Sequence, residues 1–489
     1  MKSTNGWLIL RAALAVAAIP FILAMCAQAQ TFTTLVTFNG ENGGQAYYYG
    51  SGALMQGLDG NLYGSASGGG VSSDTGTVFK VAMGKLTTLY EFCAQSGCPD
   101  GQAPGATLVQ TANGNVYGTT YIGGTGDYGT IFQITPSGQL TTVHFFNGPT
   151  DGGNTDAGMV LAANGNLYGT ANTDGPTGYG TVYELTPAGQ FTVLYSFCSL
   201  TNCTDGGNPN AALVQGTNGN FYGTTRAGGA NGYGTVFEIT AAGKLTTLYN
   251  FCSKTSCRDG SYALGTLIQG ADGNFYGTTG AGGAHASGSV FKMTPAGKLA
   301  TLYSFCPTKG CVDGAQPYSG LVQANDGNFY GTTAEGGTGT NCPNGTGYGC
   351  GTIFELTPAG VLTTLHSFDG TDGATPFGGL VQSTNGSFYG TTYLSGTYGD
   401  GTIFTLNTGL GAFVKPQPAL GKVGATIVIL GNNLKGTTRV TFNGTPATFT
   451  VVSPTEIKAV VPAGAASGTI TVTTATATLN SNPAFHVAP

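Results

Sequence analysis

The chain has 489 residues, only 8% of them charged, with 85 glycines and a formal net charge of −6. Low charge excludes a charge-rich disordered chain, and the lack of a Gly-X-Y period excludes collagen. The acidic balance argues against nucleic acid or an anionic membrane surface as partner.

Residues 1–29 read as a secretory signal peptide. Lys2 and Arg11 supply positive charge, "AALAVAAIPFILAM" is a short apolar core, and "AQA" at Ala27–Ala29 is a small-x-small cleavage site before Gln30. Two alternatives are weaker. The apolar core is short for a membrane anchor, and lipidation at Cys26 would want a small residue where Met25 stands. Nothing later in the chain is long and apolar enough to span a bilayer, so no membrane span is expected in the mature chain. Removing residues 1–29 takes Lys2, Arg11 and the only tryptophan, Trp7, leaving 14 basic against 22 acidic residues, net −8. The expected location is secreted or at the cell surface.

From residue 30 onward one motif recurs seven times: "DGNLYG" (59–64), "NGNVYG" (113–118), "NGNLYG" (164–169), "NGNFYG" (218–223), "DGNFYG" (272–277), "DGNFYG" (326–331) and "NGSFYG" (385–390). Its tyrosines are Tyr63, Tyr117, Tyr168, Tyr222, Tyr276, Tyr330 and Tyr389. Their near-constant spacing means a repeat architecture. Each unit holds four strand-like runs, for example "ALVQG", "FYGTT", "YGTVFEIT" and "LTTLYNF". Asn-Gly and Asp-Gly supply the positive φ of a tight hairpin, and Pro-x-Gly makes the other short turn. Four strands in roughly 50 residues describe a propeller blade. Adjacent bulky residues such as Phe275 and Tyr276 must face opposite sides, so the sheet is expected to be buried on both faces. Gly277 behind them allows a close approach.

The ends favour a closed ring. The seventh unit lacks its last strand, and "TFTTLVTF" (31–38) supplies it. The reading is all-β: a seven-bladed propeller over residues 30–408, closed by the N-terminal strand, with turns a–b and c–d on one face and long loops b–c and d–a on the other. Ten cysteines follow the signal. Four pairs share one spacing, Cys93/Cys98, Cys198/Cys203, Cys252/Cys257 and Cys306/Cys311, and the fifth is Cys342/Cys350. All five fall in long loops. The spacing suits local disulfides in an oxidising compartment, not a metal cluster.

After a linker at 409–413 the repeat gives way to alternating β-branched runs broken by Gly, Pro and Asn-Gly, an Ig-like β-sandwich over 414–489. Pro418, Gly421, Gly424, Val428, Gly431, Asn433, Leu434, Val440, Phe442, Asn443, Gly444, Val461, Pro462 and Gly468 resemble the IPT/TIG family. The resemblance implies an Ig-like spacer or binding module of extracellular proteins and does not imply catalysis. The repeat wording "DGNFYGTT…GGA…GTVFEIT…GKLTTLY" resembles the GloVer tandem repeat of bacterial exported proteins, whose members often carry C-terminal anchors. No sorting signal follows "FHVAP" here.

Chemistry is sparse. His144 and His366 occupy the strand-d slot held elsewhere by Tyr and read as packing substitutions; His285 and His486 lie apart from them, and no pair has metal-ligand spacing. Asp100, Asp151, Asp205, Asp259, Asp313 and Asp372 each precede Gly after strand d. Their expected role is an Asx-type turn opening the next blade. No cofactor is read from the sequence; calcium is the one ion these carboxylates would suit. Residues that break the repeat are more informative. Arg226 and Glu335 are read as sharing one slot after strand b, where other units place Tyr121, Gly280 or Tyr393; Asp127, Asp174 and Asp400 are also aperiodic. Tyr121, Arg226, Glu335 and Tyr393 are therefore the candidate binding residues, and no catalytic residue is assigned. The expected function is non-enzymatic binding or structure, with the Tyr-rich long-loop face offered to an extracellular glycan or protein. The alternative is an extracellular polysaccharide lyase or glycoside hydrolase, which would need a pair of placed carboxylates.

Overall fold

A computed structural model describes residues 30–44, 52–71, 74–343 and 349–488. The expected signal segment lies outside the described residues. Among those residues no helix is long and apolar enough to cross a membrane.

Seven four-stranded antiparallel sheets follow one another along the chain. Blade 1 is Met55–Gln56, Leu62–Ala66, Thr77–Ala82 and Lys85–Glu91. Blade 7 holds Val381–Gln382, Phe388–Thr392 and Thr402–Asn407, and Thr31–Thr37 completes it as the outermost strand, with Phe32 opposite Leu406 and Thr34 opposite Phe404. First and last strands thus share one sheet, and the ring closes without a covalent link.

The core sits between the blades. One apolar cluster fills each of the seven interfaces, including that between blades 7 and 1. The Phe-Tyr step of the repeat explains this. Tyr222 faces forward onto Phe275 of the next blade, with ring centroids 4.0 Å apart. Tyr168–Phe221, Tyr276–Phe329 and Tyr330–Phe388 repeat the contact at 4.0–4.2 Å. Each such pair adds about 0.5–1.5 kcal/mol beyond the area it buries. Gly277 is demanded by neighbours in its own sheet. A Cβ there would lie 2.6 Å from Cζ of Phe291 and 2.7 Å from Cδ2 of Leu267.

On the short-turn face the Asp or Asn of each hairpin accepts the N–H two residues on, as Asp272 does from Asn274 and Asn218 from Asn220. In four blades the charge of that turn residue is matched on strand c, whereas in blade 6 Asp326 stands near Glu355, with Asn328 Nδ2 donating to both. Asp59 and Asp272 pair with Lys80 and Lys292, whereas Asn164 and Asn218 stand beside Glu184 and Glu238, to which Tyr168 and Tyr222 donate their hydroxyls. A second ring of contacts runs through strand-a glutamines. Oε1 of Gln269 accepts the N–H of Thr217 in the preceding blade, and Gln56, Gln110, Gln215, Gln323 and Gln382 do the same. Blade 3 has Leu161 at this position, which offers no amide to bridge back to blade 2.

The Ig-like module is two four-stranded sheets, with a short parallel pair of Leu420–Gly421 and His486–Val487, around a core that includes Ile429, Phe442, Ile457, Ile470 and Phe485. It is seated on the short-turn face. Thr455 Oγ1 donates to the Leu58 carbonyl at 2.7 Å (blade 1), Asn432 Nδ2 to Thr384 Oγ1 at 2.8 Å (blade 7) and Asn482 Nδ2 to the Gln323 carbonyl at 3.0 Å (blade 6). A cleft of about 310 Å³ remains between the module and the hairpins of blades 2 and 3, lined by Leu161, Pro187 and Pro418 among others. It opens where Leu161 interrupts the ring of glutamines.

The periodic aspartates differ from the sequence expectation. They point back to their own blade instead of opening a turn for the next. Buried Asp259 accepts from Tyr249 Oη at 2.7 Å, from the N–H and hydroxyl of Ser253 and from the Lys254 N–H. It ties the outer strand to the disulfide loop behind it, and those donors hold its carboxyl below the usual range against the burial that raises it. His144 and His366 likewise do more than pack. They stand in two of the blades whose d–a loop lacks the C-x4-C pair. Nε2 of each meets the aspartate that follows its strand, Asp151 at 3.0 Å and Asp372 at 2.7 Å. Each imidazole also lies flat on a phenylalanine of the next outer strand, Phe191 and Phe32, where other blades carry Leu.

Candidate functional site: the inner rim of the long-loop face

With one face covered by the Ig-like module, the long-loop face is where the inner ends of the blades are open to solvent. Cys93–Cys98, Cys198–Cys203, Cys252–Cys257, Cys306–Cys311 and Cys342–Cys350 are bonded there. Each C-x4-C loop is also held by the b–c loop of the following blade, through bonds such as Gly229 N–H to the Cys203 carbonyl at 2.8 Å. The d–a crossover then pairs beside the end of strand b of the next blade, as Gly207 does with Ala227 and Ala315 with Glu335. Blades 2 to 7 therefore each bring two residues to the inner rim, the first past strand b and one a few residues before strand a; in blade 1 the first of these lies among the described residues.

The first set is Ser67, Tyr121, Asn172, Arg226, Gly280, Ala334 and Tyr393. Glu335 does not belong to it. Its bridge to Ala315 matches that of Ala227, so it is one residue further on, and Ala334 is the counterpart of Arg226. A one-residue step in extended chain turns the side chain to the other face. Glu335 accordingly leaves the rim and accepts from Gln316 Nε2 at 2.8 Å, while Gln316 Oε1 accepts from Tyr318 Oη. Burial raises its carboxyl above the ordinary range.

The second set was not singled out in the sequence. It comprises Gly105, Asp156, Asn210, Leu264, Tyr318 and Phe377, five residues past each periodic aspartate. Together the two sets form an arc with two characters. In blades 3 and 4 it is polar. Oδ2 of Asp156 accepts from Asn172 Nδ2 at 2.9 Å and from Asn210 Nδ2 at 3.2 Å. Burial pushes the Asp156 carboxyl up to about 7, against the Asn172 bond and the Arg226 charge, which pull it down. Asn172 Oδ1 and Asn210 Oδ1 are buried without a partner. In blades 5 to 7 the arc is aromatic. Tyr318 fills the space left by Gly280, where a Cβ would come within 2.6 Å of its ring. Tyr318 meets Phe377 at 5.7 Å between centroids, and Phe377 meets Tyr393 at 5.3 Å.

Between the halves lies a cavity of about 160 Å³ lined by Asn210, Arg226, Tyr262, Leu264, Gly280, Ala281 and Tyr318. Of the four candidate residues, Arg226 lines it and Tyr393 continues its aromatic side, whereas Tyr121 is on the rim in blade 2, apart from the cavity. Tyr233 stands beside Tyr262 at 5.9 Å and extends the aromatic surface outward. Among the described residues no three His, Cys, Asp or Glu side chains gather as a metal site. The periodic aspartates are spread singly among the blades, each accepting from hydroxyl, imidazole or N–H groups; Asp313 Oδ1 alone of them is buried without a partner. Asp127 and Asp174 are loop residues with positive φ; Asp127 accepts from Gly123 N–H and Asp174 from Thr173 Oγ1.

Comparison with known proteins gives a fold and a family. No curated protein matches the chain. A fungal alcohol oxidase of the AA5 family, solved in complex with copper, is similar over 94% of this chain and 99% of its own, with a TM-score of 0.52 and 12% identity. The extracellular domain of a hybrid two-component system from B. thetaiotaomicron is similar over 83% of this chain and 46% of its own, at TM-score 0.49 and 12% identity. A protein described as a 6-phosphogluconolactonase from Bacteroides uniformis is similar over 65% and 85%, at TM-score 0.41 and 18% identity. The first likeness is one of fold, since so low an identity carries no chemistry across. The IPT/TIG family profile matches residues 414–487. The Gloeobacter/Verrucomicrobia repeat profile matches residues 21–203 and 198–404, most of the chain, and the protein belongs to that repeat family.

Proposed function

We propose that this is an extracellular recognition protein whose inner rim binds a glycan. The five disulfides and the IPT/TIG domain support an extracellular setting. The observation that carries the glycan reading is the two-sided rim. Two buried amide oxygens, Asn172 Oδ1 and Asn210 Oδ1, lack donors, and Asn210 lines a cavity whose other wall is tyrosine. An unsatisfied buried acceptor costs about 1–3 kcal/mol, and a sugar offers what this site lacks: hydroxyl donors for the amides and a pyranose face for the rings. Rigid tyrosines lose little conformational freedom in such contacts. The Ig-like module, seated on the opposite face, serves as base and spacer.

The test is retention of the purified protein on a panel of immobilised neutral and acidic polysaccharides. The expected result is retention on at least one class, lost in Tyr318→Ala. Lack of retention on every class overturns the reading.

A second reading has one observation in its favour. Burial raises the carboxyls of both Asp156 and Glu335, Asp156 to about 7, and an upward shift is the direction a general acid requires. A polysaccharide lyase or glycoside hydrolase would release unsaturated products or reducing ends, and either Asp156→Asn or Glu335→Gln would stop it. Absence of such products across the same panel removes this reading.

A further inference from the structure

We propose that the ligand of the inner rim is an anionic sugar, whose carboxylate or sulfate ester is held by the Arg226 guanidinium while a hydroxyl reaches Asn210. This rests on the glycan reading above. Arg226 is the only cationic side chain lining the cavity. It is exposed, and none of the described side chains hydrogen-bonds or ion-pairs with its guanidinium. A planar fork of donors matches an oxyanion in two parallel bonds and gives charge-assisted contacts stronger than neutral ones. The only blade to place a cation at this position is blade 4; the equivalents are Ser67, Tyr121, Asn172, Gly280, Ala334 and Tyr393. Arg226 shares the cavity with Asn210, whose Oδ1 is one of the two orphaned amide oxygens, and with Tyr318 and Tyr262. One sugar ring stacked on tyrosine can therefore present its charged group to Arg226 and a hydroxyl to Asn210.

Asp156 decides when that charge is available. The groups facing its carboxyl are Asn172, Asn210 and Arg226, two amides and the one cation. Held protonated by burial, Asp156 leaves the guanidinium uncancelled in mildly acidic solution. Once ionised it competes with the ligand for Arg226 and repels it. The same site is thus set to take an anion at pH 6 and to weaken at pH 8.

Titration calorimetry on the full chain tests this with three probes: oligogalacturonate, sulfated carrageenan oligosaccharide and neutral xylo-oligosaccharide. The expected result is that one or both anionic probes bind at least about tenfold more tightly than the neutral one. Arg226→Gln should remove that preference, and Arg226→Lys should keep part of it. Affinity should fall several-fold from pH 6 to pH 8 in the parent and stay level in Asp156→Asn. The carboxylated and sulfated arms identify the oxyanion. Neutral probe binding as tightly as the anionic ones, or anion binding unchanged in Arg226→Gln, overturns the anionic assignment and leaves the glycan reading standing. Binding of none of the three overturns the anionic assignment, and failure on the wider polysaccharide panel would overturn both. Arg226 is exposed, so its variants are expected to fold; far-ultraviolet circular dichroism checks that.

Discussion

Replacing Asp156 by Asn is a direct probe of the rim, because it changes a charge without changing a shape. Burial raises this carboxyl from an ordinary value of 3.8 to about 7. At about 1.36 kcal/mol per pH unit the full linkage is about 4 kcal/mol. Solvent reaches part of the side chain, and screening brings the expected figure to about 1–2 kcal/mol. The sign follows from which state holds the proton. Below about pH 4 both folded and unfolded chains are protonated at this position and the group costs nothing. Between about 4 and 7 the folded chain keeps the proton that the unfolded chain has lost, so stability declines as pH rises. Above about 7 the loss is complete. The substituted amide would not titrate, and it can still meet Asn172 and Asn210. The variant should therefore match the parent at pH 4 and exceed it at pH 8. For a chain of this size 1 kcal/mol is on the order of 1 °C in Tm. Differential scanning calorimetry at pH 4, 5, 6, 7 and 8 is the assay, since no tryptophan lies beyond Trp7 to report by fluorescence. A constant difference across that range, or a variant less stable at pH 8 than at pH 4 relative to the parent, refutes the reasoning.

Two further predictions concern the scaffold. Gly277→Ala places a methyl 2.6 Å from the Phe291 ring and 2.7 Å from Leu267, and overpacking of this kind costs about 1–3 kcal/mol; an unchanged denaturation midpoint would show that the blade has slack the packing denies. Replacing Cys252 and Cys257 together by Ser opens a short loop whose closure is worth about 2 kcal/mol. Both cysteines hold positive φ, 58° and 51°, so the freed backbone should relax and amide exchange at 252–260 should speed up. Unaltered exchange there would mean that Asp259 and its donors hold the loop without the disulfide.

The repeat made most of the scaffold legible in advance. A regular period, four strand-like runs per unit and a fourth strand displaced to the N-terminus leave one way to pair every strand, and Thr31–Thr37 does pair with Thr402–Asn407. Phe275 and Tyr276 side by side in one strand already require apolar neighbours on both faces, which the seven inter-blade clusters supply. The rim was legible only in part. Arg226 stands out as a repeat-breaking charge, but most of the residues around it come from distant positions and other blades. Asp156, Asn210 and Tyr318 each precede strand a of a different blade, and no local pattern links them. Aperiodicity was the available signal, and it would have found Asp156 had the residues before strand a been compared across units as those after strand b were. Glu335 was misplaced by one position although its register could be counted from strand b. Strand b ends at Thr333, so Ala334 is the first residue past it and Glu335 the second, and one residue along an extended chain reverses the direction of the side chain.

Sequence alone determined what depends on repetition: blade number, ring closure, the disulfide spacing, and the need for Gly beside the Phe-Tyr step. Those follow from local geometry copied seven times, where each copy constrains the others. Only the tertiary structure decided what depends on where the copies differ. It brought Asp156, Asn172, Asn210 and Arg226 into one polar arc, set tyrosines across from them, turned Glu335 away, and seated the Ig-like module against the short-turn face. Those outcomes rest on contacts between residues tens to hundreds of positions apart, such as Thr455 with Leu58, and such contacts exist only once the ring has closed.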